Sequence, residues 1–170
     1  MRFIDAVGYG DAMTEIRPAR PHEAALILQL LFELAEYEKL NDQFRLEVAD
    51  IERALFGEPA RAFCDLAFDA EEPIGFALWY YTFPTFAGRL GIWLEDLYVR
   101  PQARGRGAGK ALLARLARRC AEEDLSRVEW SVLDWNAPSI AFYDSLGAGT
   151  KTGWITRQLT GEALARLAME

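Results

Sequence analysis

Two hydrophobic periods alternate along this chain. In residues 22–40, HEAALILQLLFELAEYEKL, the apolar positions Ala24, Ile27, Leu28, Leu31, Leu34 and Ala35 recur at spacings of three and four, which predicts a helix with one buried face, opened by Pro21. A second helix is predicted from Val48 to Phe56, stopped by Gly57. Strand-like runs follow at Ala62–Asp69, Ile74–Phe83 and Leu90–Arg100, parted by AEEP and by a loop around Pro84 to Gly88. Their hairpin-like spacing predicts consecutive antiparallel strands. A short strand in TEIRPAR, ended by Pro18, precedes the first helix. Leu112, Leu113, Leu116 and Ala117 then predict a helix through about Glu123. After it come a strand over Arg127–Asp134, a helix from near Pro138, a last strand near WITRQL and a short helix in TGEALARLA. The order is β-α-α-β-β-β-α-β-α-β. Its strand–helix–strand step is a crossover, so Leu97–Val99 and Val128–Val132 are predicted to be parallel neighbours in an otherwise antiparallel sheet. Residues 1–13 lack periodicity and are predicted to be a loose extension of one domain covering 14–170.

Composition narrows the function. With 170 residues, 51% of them hydrophobic, the chain has enough material for one full core. Its longest apolar stretch, AALILQLLF, is far short of the ~20 residues of a membrane span. Asp5 and Asp11 interrupt the start where a secretory signal needs a compact apolar core, so a cytoplasmic protein away from membranes is expected. Cys64 and Cys120 stand far apart and His22 is the only histidine, which suggests neither a disulfide framework nor a metal site. His22 itself reads as an exposed first-turn residue. A net charge of -7 argues against a nucleic-acid partner. Yet Arg100, Arg104, Arg106 and Lys110 fall within eleven residues that hold no acid, a local site for a small anion.

That stretch, VRPQARGRGAGKALL, places Gly105, Gly107 and Gly109 just before a helix, an arrangement that offers backbone N–H groups to phosphate. A Walker loop is excluded by Arg104 in place of its first glycine and Ala111 in place of its hydroxyl residue. A dinucleotide fingerprint fails because Lys110 occupies the third glycine position. The pattern R-x-x-G-x-G, read as Arg104, Gly107 and Gly109, resembles the pyrophosphate loop of the GCN5-related N-acetyltransferase (GNAT) family. The resemblance runs from Ile16 almost to the end, through IRPAR, ELAEYEKL, IGFALWYYTF, WLEDLYV, ARGRGAGKALL, LDWNAPSIAFYDSLGA and GWITRQL. These blocks are similar, in this order, to the spermidine/spermine and thialysine acetyltransferase branch. The resemblance implies a single-domain α/β fold with a mixed central sheet, helices on both faces, and acetyl-CoA as co-substrate without a metal.

Acetyl transfer to an amine needs a grip on CoA, a deprotonated amine, a polarised carbonyl and a proton for the leaving thiolate. Glycines let the backbone approach the pyrophosphate, and a helix N-terminus adds roughly half a positive charge. By resemblance the CoA-binding residues are Gly105 to Lys110, including Arg106, Ala108 and Gly109, with Arg104 and the backbone of Leu97, Tyr98 and Val99; Asn136 and Ser139 lie near the pantetheine arm. Arg104, Arg106 and Lys110 are read either as added charge or as solvated side chains. An alkyl ammonium of pKa about 10.4 cannot attack, so a carboxylate must hold it and take its proton. Glu95 and Asp96 are the candidates, Glu95 being by resemblance the base or base relay. Tyr143 is by resemblance the general acid, a phenol of pKa about 10 facing a thiol of about 8.5. Tyr37, Glu38, Glu129, Trp130 and Ser131 match amine-pocket positions, and each reads alternatively as polar surface. Pro84 and Lys151 stand where polyamine-using relatives are acidic, which favours a short diamine or a lysine-like amino acid over spermine. The branch also implies a homodimer joined through C-terminal strands. A catalytically silent acyl-CoA-binding module is the alternative reading.

Overall fold

The computed structural model describes residues 14–170; the extension expected over 1–13 lies outside the described residues. The chain forms two compact units, meeting in sequence between Ser131 and Val132.

The first unit holds β1 (Glu15–Pro18), α1 (Ala24–Glu38), α2 (Val48–Phe56), β2 (Phe63–Asp69), β3 (Glu72–Thr82), β4 (Gly91–Val99), α3 (Ala108–Glu122) and β5 (Val128–Glu129). The strands form one sheet in sequence order, antiparallel from β1 to β4, with β5 parallel to β4. This is the mixed sheet that the strand spacing and the crossover predict. On one face Ile27, Leu30 and Leu34 of α1 and Ile51 and Leu55 of α2 pack against Leu66, Phe68, Phe76 and Tyr98. On the other, Leu112 and Leu116 of α3 are fully buried, and its Arg119 lies over the ring of the buried Trp79. Helix α1 follows a short 3-10 turn at Pro21–Glu23, where His22 is exposed and Glu23 is buried in an ion pair with Arg17. Gly75 lets β3 and β4 approach closely, since a Cβ there would stand 2.4 Å from the Tyr98 carbonyl oxygen.

Two sequence expectations need correction. Strand β5 covers only Val128–Glu129, and its parallel partners are Ile92 and Trp93 rather than Leu97–Val99. The cause lies in β4: its register on β3 slips between Leu94 and Asp96, leaving Glu95 as an extra residue. Such a bulge bends its strand and sharpens the local twist, so the second half of β4 departs from the line that β5 follows.

The second unit contains α4 (Ala137–Ser145) and α5 (Gly161–Leu167). The strand expected near WITRQL is absent among its described residues, and Trp154 and Ile155 are 73% and 80% exposed. No other strand lies in this unit to complete a ladder, and a lone strand leaves its backbone groups unpaired.

Candidate active site

The bulge decides which side chains β4 presents. Cross-strand partners share a face of the sheet. Leu94 pairs with Trp79 and Ile92 with Tyr81, on the α3 face, whereas Asp96 pairs with Leu78 and Tyr98 with Phe76, on the α1 face. Without the extra residue Asp96 would stand on the other side, because facing alternates along a regular strand. Glu95, at the bulge itself, is exposed and accepts a hydrogen bond from Trp93 Nε1 at 2.8 Å. Burial and the neighbouring Glu95 carboxylate push the Tyr80 phenol up.

Asp96 is half-buried, and burial, with the Glu95 and Glu38 carboxylates adding repulsion, pushes its pKa up to about 7. Glu38, the last residue of α1, is half-buried as well, and its pKa is raised by burial. Two acids expected at the amine pocket, Glu38 and Glu95, thus act on a third, Asp96, which exchanges its proton near neutrality. Such a group can hold a cation or take up a proton under ordinary conditions. Tyr37 adjoins Glu38 on α1 and is half-buried.

The glycine loop runs from the end of β4 through a 3-10 turn at Pro101–Ala103 into α3. Gly105 and Gly107 have φ of +76° and +88°, and nothing lies within 4 Å of a Cβ built on either, so the left-handed backbone and not crowding requires glycine. Gly107 caps α3, whose first N–H groups have no partner within the helix. This exposed cradle of amides on an open surface suits the pyrophosphate of CoA. Its side chains are more occupied than the sequence implies. Arg104 donates from Nε to the Val99 carbonyl at 2.8 Å and lies 4.5 Å over the Tyr37 ring; Arg106 pairs with Asp69 at 3.5 Å. Ala108 is buried at the start of α3, Gly109 is half-buried, and Lys110 is exposed. Glu129 on β5 pairs with Arg127 at 2.6 Å, followed by half-buried Trp130 and exposed Ser131.

In the second unit Asn136 is buried and caps α4, its Oδ1 accepting from the Ser139 backbone at 3.3 Å. Tyr143 lies seven residues on, half-buried, its ring 5.3 Å from that of Phe142.

Residues 26–148 match the Acetyltransferase (GNAT) family. The chain belongs to the GNAT family. A thialysine N-epsilon-acetyltransferase from Bos taurus is 35% identical over 168 residues, spanning 92% of this chain and 98% of its own. A human spermidine/spermine N(1)-acetyltransferase-like protein is 32% identical over 92% of this chain, which spans 24% of that longer protein. Among solved structures, an integron cassette protein from the mobile metagenome of V. cholerae superposes with a TM-score of 0.78 at 25% identity, covering 92% of this chain and 98% of its own. No helix among the described residues is long and apolar enough to cross a membrane.

As a GNAT acetyltransferase the chain has features that its linear pattern concealed. The bulge at Glu95 carries no glycine or proline to mark it, and only the cross-strand register reveals it. Nor does the sequence predict that Arg100, placed among the loop cations, is half-buried and held in ion pairs with Glu33 and Glu72. Both partners are distant in sequence, and charge counting cannot distinguish a paired cation from a free one.

Proposed function

We propose that this acetyltransferase transfers the acetyl group of acetyl-CoA to the terminal primary amine of a short cationic substrate, a lysine-like amino acid or diamine. The observation that carries the reading is the set of carboxyl groups formed by Glu95 and Asp96, on the strand that feeds the glycine loop, with Glu38 at the end of α1, Asp96 being raised to about 7. Acetyl-CoA supplies the acetyl group as a thioester. The loop amides from Gly105 to Lys110 hold its pyrophosphate, and the backbone N–H groups of Leu97 and Val99, on the edge of β4 that β5 leaves uncovered, are the donors for the carbonyl, while that of Tyr98 turns toward β3. Asp96 and Glu38 hold the ammonium. Glu95, exposed at the bulge, takes its proton directly or through water, and the neutral nitrogen attacks. Tyr143 is the proposed proton donor to the departing thiolate, and Asn136 with Ser139 contacts the pantetheine arm; the motif LDWNAPSIAFY supports these assignments.

Substrate length follows from charge. A long polyamine needs further acids for its distant ammonium groups, and Pro84 and Lys151 supply none. Lys151, exposed and 5.1 Å over the Trp154 ring, suits a substrate carboxylate. Relatives named for thialysine favour the same class. Homodimerisation belongs to the proposal, supported by exposed Trp154, Ile155 and Leu159 in a segment that forms no strand by itself. So does a cytoplasmic setting, with Cys64 and Cys120 both free thiols. A screen of CoA-thiol release with thialysine, lysine, putrescine, spermidine and spermine at equal concentration tests the reading. Thialysine or lysine should give the highest kcat/KM. A preference for spermine that Lys151→Glu leaves unaltered overturns the substrate assignment, and CoA binding without turnover of any amine favours the silent module.

A further inference from the structure

Helix α1 grips the glycine loop at two points one helical turn apart. Glu33 and Tyr37, four residues apart, share a face of α1. Arg100 and Arg104, four residues apart, flank the 3-10 turn that leads into the loop. Arg100 clamps Glu33 with two bonds, Nε to Oε2 at 2.9 Å and Nη2 to Oε1 at 2.7 Å, and donates from Nη1 to the Pro73 carbonyl at 2.8 Å and to Glu72 at 3.0 Å. Its side chain is only 11% exposed. One turn further on, the Arg104 guanidinium lies 4.5 Å over the Tyr37 ring while its Nε holds the Val99 carbonyl. Two cations of the loop therefore point inward to α1, and the residue after Tyr37 is Glu38, an acid of the amine pocket.

We propose that this double contact is a clasp that holds the loop in its CoA-binding geometry and ties it to the amine end of α1, with Glu33, Arg100, Tyr37 and Arg104 as its positioning residues. The inference rests on the reading that the loop takes CoA. Arg100 fixes the chain where it leaves β4, and Arg104 fixes it immediately before Gly105. The glycines between Arg104 and α3 have left-handed backbones and no packing neighbours at their Cβ positions, so the loop's shape depends on its anchored end. A bidentate guanidinium pair defines orientation as well as distance, which a lysine cannot reproduce.

Charge alone predicts the opposite sign, and this makes the clasp testable. Removing the Glu33 carboxylate should favour an anionic ligand if only Coulomb forces act; the clasp predicts weaker binding, because the loop is released. The experiment is calorimetric titration of CoA, without amine, into the wild type and into Glu33→Gln, Arg100→Lys and Tyr37→Leu, each well below its thermal midpoint. CoA affinity should fall by about threefold to tenfold in all three variants, including Arg100→Lys, which keeps its charge. Unchanged or tighter binding in the folded variants, even with lowered thermal midpoints, overturns the clasp and leaves the acetyltransferase reading standing if the wild type binds CoA. A wild type that does not bind CoA overturns both. Should Glu33→Gln fail to fold, Tyr37→Leu and Arg100→Lys carry the same expectation.

Discussion

Asp96 shows how one residue position changes an acid's chemistry. Its carboxyl holds a proton up to about 7 in the fold, against an ordinary aspartate value of 3.8. At this group the folded state therefore binds more protons than the unfolded state between these values, and the contribution of Asp96 to stability falls as pH rises through that window, against the rise contributed by Glu23 and Glu33, whose paired carboxyls lie low. Asp96→Asn should remove this contribution, so that the urea midpoint of the variant relative to that of the wild type rises from acid to neutral pH. Gly107 illustrates a backbone constraint at the same scale. With φ of +88° and nothing near its Cβ position, Gly107→Ala meets no clash, yet should cost about 1–2 kcal/mol in left-handed strain, read as a lower thermal midpoint. The glycine loop was legible in the sequence because few other residues adopt such a backbone. The pairing of Glu95 with Asp96 was legible too, but nothing local says which of them stands on the α1 face.

Elements follow their sequence periods where the period is long and packing agrees with it. Helix α2 spans the expected Val48–Phe56, and α1, α3 and the strands β2 to β4 fall within two residues of their expected ends. What the pattern misses is tertiary: the slip at Glu95, the shortness of β5 and the lack of a strand at 154–159 each depend on what a neighbouring strand does. The meander of β3 and β4 carries the site, and its tightest point is Gly75. A methyl group there would meet the Tyr98 carbonyl oxygen, and the next nearest atoms are also backbone, of Tyr98 and Val99, which leaves little room to yield. Gly75→Ala should destabilise the fold by at least about 2 kcal/mol in chemical denaturation. Unchanged stability would show that the two strands separate more easily than their register implies.

For the whole molecule, a net charge of -7 favours a cationic acceptor, and the proposed acyl carrier depends on the backbone N–H groups of the glycine loop, because Arg100 and Arg106 are already paired with carboxylates. Exposed Trp154 and Ile155 belong to the proposed assembly. Light scattering should find a dimer, and Trp154→Glu with Ile155→Glu should give a monomer; a monomeric wild type at working concentration contradicts the assembly. The family was legible because its ordered motifs extend over most of the chain, whereas the amine was not, because it depends on where individual charges stand in the fold. The central claim is that the carboxyl groups around the β4 bulge bind the amine and manage its proton. It is tested most directly by kcat/KM for the preferred amine between about pH 5 and about pH 9, in the wild type and in Asp96→Asn. The wild type should rise through an apparent value near 7, as Asp96 loses its proton and gains the charge that holds the ammonium. Asp96→Asn should lack that limb and fall about a hundredfold at the alkaline end. A variant that keeps both the limb and the rate would contradict the account.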